Sequence, residues 1–373
     1  MVIHRHWINL GLLTLLAGGT GAAVGAPLSA LLRVPGAETL TPAKIELGKM
    51  LFFDPRLSGD STTSCASCHA PNLGWGDGNE LSIGYPGTVH WRNSQTILNV
   101  AYLNKWFWTG SAATLEAQAK GAMTGPLAQN MNPGLAEERL KQIPEYVRRF
   151  KQAYDSAPTF DNTLAAIAAF ERTVVSKNVP FDHYMNGDKK ALSATQLKGM
   201  ELFSGKAGCI ACHGGAMLTD EDFHNVGVPQ NKAFAKDYMR QIAMRERIKA
   251  KGIPESDYLS FDRDPGHFLD TKKAEDKGKF RTPPLRELKY TGPYMHNGVF
   301  TTLNQVVEFY DQGGADDPFG TKSPLLKPLK LSKDEKDALR AFLESLSGDP
   351  ILVEAPKLPD YEVLPFPPKP VYQ

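Results

Sequence analysis

Apolar positions recur at helical spacing through most of this chain, and strand-like alternation is nearly absent. Two segments form a pair: Thr41–Phe52 (TPAKIELGKMLF) and Ser193–Phe203 (SATQLKGMELF). Each opens on a hydroxyl residue able to accept from a free N–H of the first helical turn. A longer apolar helix is predicted over Asn162–Val175. Another is predicted over Ser332–Leu346, where Ser332 and Glu335 have capping-box spacing. The pattern therefore predicts a mainly α chain in two similar halves. Pro180–Lys190, polar and glycine-containing, reads as the linker between them. Residues 231–280 are charged and Lys-rich, and read as an exposed helix and loop. The six prolines from Pro356 to Gln373 predict an extended tail over the surface.

The N-terminus has the form of an export signal. His4, Arg5 and His6 precede an apolar run, Leu10–Leu16, and small residues follow to Ala26. That run is short for a bilayer span, so cleavage after Ala26, or after Ala23, is favoured over an uncleaved anchor. The expected organisation is a signal peptide at 1–26, an N-terminal domain at 27–185, a C-terminal domain at 186–355 and a tail at 356–373. The processed protein is expected in the periplasm with no membrane span.

With 373 residues, 42% hydrophobic and 22% charged, the composition is that of a folded globular chain. A net charge of +1 offers nothing to attract nucleic acid. The 18 Phe, 12 Tyr and 5 Trp can build a sizeable core or enclose a large cofactor.

All four cysteines fall in two identical patterns, Cys65-Ala-Ser-Cys68-His69 and Cys209-Ile-Ala-Cys212-His213. Each is C-x-x-C-H, the attachment pattern of haem c. Two thiols three positions apart add to the two vinyl groups on a haem edge, and the next histidine ligates the iron. A zinc site or two disulfides would use the cysteines but would not account for the histidine after each pair. The expected cofactors are two covalently bound haem c groups, one in each cytochrome c-like domain.

Further segments then carry a resemblance. Arg92-Asn93-Ser94-Gln95-Thr96, Phe107-Trp108-Thr109-Gly110 and Leu115-Glu116-Ala117-Gln118-Ala119 are similar to motifs of bacterial di-haem cytochrome c peroxidases and MauG. So are Phe280-Arg281-Thr282-Pro283-Pro284-Leu285-Arg286 and Thr291-Gly292-Pro293-Tyr294-Met295-His296-Asn297-Gly298. The similarity runs in one order from about Thr41 to Gly348. It implies an oxidoreductase with two facing haem domains. Trp108 would be the inter-haem tryptophan. Asn93, with the backbone carbonyls of Thr291 and Pro293, would hold a calcium ion, whose hardness suits oxygen ligands.

The resemblance also assigns axial ligands. In Val306-Val307-Glu308-Phe309-Tyr310-Asp311, Tyr310 occupies the position of the second ligand of the C-terminal haem iron, tyrosine in MauG and methionine in the peroxidases. Met295 and Met217 are the alternatives. At the N-terminal haem, the position of the distal histidine reads Tyr85, and His90 is near but out of register. That haem is expected to be open to hydrogen peroxide or loosely covered.

The chain also departs from the family. Its distal glutamine is present as Gln118, but the distal glutamate position is Ala128 and the neighbouring proline position is Ala122. Ser111 closes a Trp-Asp-Gly-Arg motif that here reads Trp108-Thr109-Gly110-Ser111, and the exit tryptophan of MauG is Ala207. Splitting peroxide requires a group that moves a proton between its oxygens, which alanine cannot do. Gln129 offers only an amide, and Glu116 would need a rearranged loop. The expected partners are a donor c-type cytochrome or cupredoxin, or a protein substrate; the resemblance also allows a homodimer, as relatives often form, without deciding it. The alternative from a different class is an electron-transfer or redox-sensing cytochrome without catalysis.

Overall fold

The computed structural model describes residues 25–362, apart from Pro86. The expected signal peptide, save Gly25 and Ala26, and the tail beyond Glu362 lie outside the described residues. Fourteen α-helices are present among the described residues. The first half contains α1 (Pro42–Phe53), α2 (Cys65–Cys68), α3 (Leu115–Thr124), α4 (Pro133–Lys141), α5 (Pro144–Tyr154) and α6 (Phe160–Glu171). The second begins with α7 (Pro180–Met185) and α8 (Ala194–Ser204). Next come α9 (Lys232–Lys236), α10 (Tyr238–Ala250), α11 (Glu255–Tyr258) and α12 (Phe268–Thr271). It closes with α13 (Leu303–Asp311) and α14 (Lys333–Ser345). Sheet is confined to two antiparallel ribbons, β1 (Ile83–Gly84) with β2 (Thr88–Val89) and β3 (Phe223–His224) with β4 (Phe280–Arg281).

The predicted caps form. Thr41 accepts from the Lys44 N–H at the start of α1, and full capping boxes open α8 (Ser193, Gln196) and α14 (Ser332, Glu335). The helix expected at Asn162–Val175 is α6, shifted towards the N-terminus because Thr159 caps it and Arg172 ends it.

Each half is organised by one close helix crossing. α1 meets α6 at Gly48, where an added Cβ would lie 1.8 Å from the Ala166 carbonyl oxygen. α8 meets α14 at Gly199, where an added Cβ would lie 2.0 Å from the Ala338 oxygen. The two backbones touch because glycine has no side chain, and the flanking Phe170 and Phe342 then pack beside the crossing. Around the first crossing, Leu51, Phe52, Trp75 and Phe170 form a buried cluster; around the second, Phe181, Phe203, Phe342 and Leu346 do so.

Two expectations are corrected. The linker read at Pro180–Lys190 starts as helix α7, and its Phe181 is fully buried against Phe342 with ring centroids 5.9 Å apart. Val179 and Phe181 therefore pack in the second hydrophobic cluster. Residues 231–280 are not simply exposed. Phe234, Met244, Ile248, Phe261 and Phe268 form a third cluster with Leu81 and Trp91 of the first half. Met244 and Ile248 lie four apart on one face of α10, and the charges between them hide that stripe in the sequence. Arg92 joins the two segments through Asp264, with its Nη2 donating at 2.9 Å.

The ends of the described chain cross over. The Ala26 carbonyl accepts from the Gly215 N–H and the Leu31 N–H donates to Asp182, while the Leu31 side chain packs on the first cluster, so the N-terminal segment reaches across to the second half. The C-terminal segment from Ile351 to Glu362 carries no helix or strand and lies on the first half. Trp75 Nε1 donates to the Ile351 carbonyl at 2.8 Å, and Arg56 donates to the Pro359 carbonyl at 2.7 Å.

Gly48→Ala and Gly199→Ala should each destabilise the haem-loaded protein by at least ~1–3 kcal/mol, since backbone rather than a side-chain tip must give way. Denaturant midpoints check this, and an unchanged midpoint in either variant would contradict the crossings.

Candidate active site

Both C-x-x-C-H segments open into one cavity of about 840 Å³ whose wall comes from both halves of the chain. The first pair sits on α2 with His69 at its C-terminal cap; the second forms a single 3-10 turn from Cys209 to Ala211, with His213 beyond it. No disulfide joins any of the four cysteines. Nor do the two pairs gather into one metal cluster among the described residues; the group close enough there is Cys212 with Asp220 and His224.

The two histidines are prepared identically. His69 Nδ1 lies 3.2 Å from the Trp75 carbonyl oxygen, and His213 Nδ1 lies 2.9 Å from that of Leu218. A carbonyl only accepts, so each Nδ1 carries the hydrogen and each Nε2 keeps its lone pair. Burial lowers both imidazole pKa values, holding the neutral form that a metal ligand needs.

At the second pair, Tyr310 of α13 lines the cavity, and its phenol has no hydrogen-bond partner among the described residues. Burial raises its pKa, and the Cys209 and Cys212 sulfurs beside it act in the same direction. Ionising it would therefore require a cation next to its oxygen. Met217, one alternative to it, packs into the first hydrophobic cluster. Met295 does line the cavity, from a left-handed backbone position at φ 73°.

At the first pair, Gln118, Ala122 and Ala128 all line the cavity, so the residues aligned as the distal wall do lie together. His90 also lines it, but its Nε2 donates to the Leu127 carbonyl at 2.5 Å. That nitrogen therefore cannot serve as an iron ligand. Tyr85 is held in the adjoining turn by its backbone, whose N–H donates to the Ala128 carbonyl. Trp108 lines the same cavity, with its Nε1 donating to the Asn93 carbonyl at 2.9 Å and its ring edge-on to His296.

Asn93, Thr291 and Pro293 all face this cavity too. The Asn93 side-chain nitrogen donates to the Asn79 carbonyl, and its backbone N–H donates to the carbonyl of His296, which follows Pro293 by three residues.

Several buried polar atoms in the cavity wall have no partner among the described residues: Trp106 Nε1, Gln129 Oε1, Glu171 Oε2 and Arg281 Nη1. Sequence reasoning missed Glu171 and the donors on Trp106 and Arg281. Glu171 was legible only as a lone acid inside an apolar helix. Burial pushes its pKa up to about 8, opposed by Arg172 and reinforced by Glu116. A cavity with apolar walls, two neutral histidines, two thiol pairs and unsatisfied donors fits two large, flat, carboxylate-bearing ligands.

The chain is 50% identical over 359 residues to cytochrome-c peroxidase IdrP1 of Pseudomonas sp. (strain SCT), covering 94% of each chain. The chain belongs to the di-haem cytochrome c peroxidase and MauG family. The family model described as di-haem cytochrome c peroxidase matches residues 42–190. The methylamine utilization protein MauG of Methylorubrum extorquens is 37% identical over 327 residues, covering 87% of this chain and 84% of that one. A solved MauG-like protein associated with microbial copper homeostasis superposes with a TM-score of 0.70 at 30% identity, covering 87% of this chain and 94% of its own. This family member is thus a peroxidase-type oxidoreductase of two cytochrome c domains with two haem c groups. No helix among its described residues is long and apolar enough to cross a membrane.

Glu171 also sets a pH dependence of stability. Its folded pKa lies above the unfolded 4.5, so the folded state binds more protons between the two values. Stability from this group is therefore greatest below about pH 4.5 and falls as pH rises to about 8, by at most ~1.4 kcal/mol per pH unit. Relative to Glu171→Gln, the wild type should lose denaturant resistance across that window. A constant difference between the two would contradict the assignment.

Proposed function

We propose that this chain is a periplasmic enzyme that reacts with hydrogen peroxide at the haem held by Cys65, Cys68 and His69. Oxidising equivalents then pass by way of Trp108 to the haem held by Cys209, Cys212, His213 and Tyr310. They end on a donor c-type cytochrome or cupredoxin, or on a protein substrate. The observation that carries this reading is the single cavity onto which both C-x-x-C-H segments, Trp108 and Tyr310 open.

When bound, the two haems supply the redox chemistry, with peroxide as oxidant. The chain's own residues do the rest. The Trp75 and Leu218 carbonyls orient His69 and His213 as ligands. Arg281 is almost wholly buried with one unpartnered nitrogen, and Trp106 offers a free N–H; both suit haem carboxylates. Tyr310, as an anionic ligand, favours the more oxidised iron, which suits holding oxidising equivalents over accepting electrons from a small carrier. The hydrogen bond from His90 to Leu127 supports an open sixth position at the first haem. A calcium ion at Asn93, Thr291 and Pro293 would pin the segments bearing Trp108's acceptor and His296. The second reading, an electron-transfer cytochrome, draws its support from Ala128, where no side chain can move a proton.

The EPR spectrum of the ferric protein tests this directly. One high-spin and one low-spin signal are expected, both lost with one equivalent of peroxide. Two low-spin signals indifferent to peroxide, before and after one-electron reduction, would leave the electron carrier. Trp108→Phe should slow loss of the low-spin signal about tenfold or more, a barrier change of at least ~1.4 kcal/mol. Tyr310→Met should raise the potential of the second haem by a sizeable part of the ~0.8 V that axial ligands command; spectroelectrochemistry would reveal an unchanged value if Tyr310 were not the ligand.

A further inference from the structure

Ala128 leaves the aligned distal position without an acid, yet the same cavity receives a carboxyl from another element. Glu171 closes α6, is 4% exposed and lines the cavity wall. Among the described residues neither of its carboxyl oxygens has a hydrogen-bond partner, and Oε2 is wholly enclosed.

The charged and titratable groups that face it come from three elements. Arg172 is its neighbour on the chain, Glu116 belongs to α3, and the Cys65 thiol belongs to α2. Arg172 is not its counter-ion, because its Nη1 donates to Glu116 at 2.9 Å. Gln129 brings a second unsatisfied atom to the same sulfur. Its Nε2 lies 3.9 Å from Cys65 Sγ, while its Oε1 is buried without a donor. A buried carboxyl with no donor aimed at it is costly as an anion and is held neutral. It gives up its proton when positive charge appears beside it, and the Cys65 edge of the cavity is where that charge would change.

We propose that Glu171 is the proton-binding residue of the first haem pocket, releasing a proton when the iron held by His69 is oxidised and binding one when it is reduced. This rests on the reading that Cys65, Cys68 and His69 hold that haem. The balance is one electron from an external one-electron reductant and one proton from water per ferric iron reduced. The only bond made is the carboxyl O–H and the only bond broken is an O–H of the hydronium that delivers the proton, and oxidation reverses both transfers. Glu171 thereby gives the pocket the exchangeable proton that Ala128 cannot, from the α6 side rather than from the loop after α3.

The test is a spectroelectrochemical titration of the di-haem protein from pH 6 to 9, following the high-spin haem with dithionite and ferricyanide. The midpoint potential should fall with rising pH, approaching 59 mV for each tenfold drop in proton concentration. Glu171→Gln should flatten this slope, and Glu171→Asp should retain it. Glu116→Gln frees Arg172 to pair with Glu171 and should move the sloping window to lower pH. A flat wild-type potential, or the same slope in Glu171→Gln, overturns the proposal. Should Glu171→Gln fail to fold, proton uptake by the wild type on reduction, read with an indicator dye in weak buffer, decides: near one per first haem supports it, none overturns it. A protein with two haems and this slope but no spectral response to peroxide overturns the peroxide reading and leaves this one standing.

Discussion

Everything in this molecule hangs on two places where helical backbones touch. At Gly48 and Gly199 the approach leaves no room for even a methyl group. Closing each pair this tightly brings the start and end of each half together. The C-x-x-C-H turn is then carried in from just beyond the first helix of the pair. The repetition of the same contact in both halves is why two segments of unrelated length between them produce matching histidine environments.

Much of this was legible from the residues. The caps at Thr41, Ser193 and Ser332, and the helices they open, follow from local chemistry that needs no tertiary partner. The C-x-x-C-H pairs were legible because covalent attachment dictates residue type and spacing together. The 231–280 segment was misjudged for the opposite reason. Its apolar residues are spread over three helices and the loops between them, and they acquire a face only when Trp91 and Leu81 supply the other side. Phe181 was hidden in the same way, as an aromatic residue in a stretch whose Asp, Asn, Gly and Lys residues read as a polar connector.

The site divides along the same line. Ligands defined by sequence neighbours were visible, whereas groups delivered from distant helices were not. Ala128 reads as a loss when the chain is inspected only near Gln118. Space tells a different story, because α6 ends with Glu171 at the Cys65 edge of that cavity. His90 shows the converse: it is near in sequence and faces the cavity, yet its ring nitrogen is already engaged by a loop carbonyl. What a residue can do here depends on whether its polar atoms are occupied, which spacing cannot reveal.

The crossed ends of the chain bear on how the protein comes into being. The indole N–H of Trp75 has its acceptor at Ile351, and Arg56 has one of its acceptors at Pro359. As the polypeptide emerges from the ribosome, the first half must wait for residues 351 and 359 before these groups are satisfied. Maturation of that half is therefore post-translational in its final step.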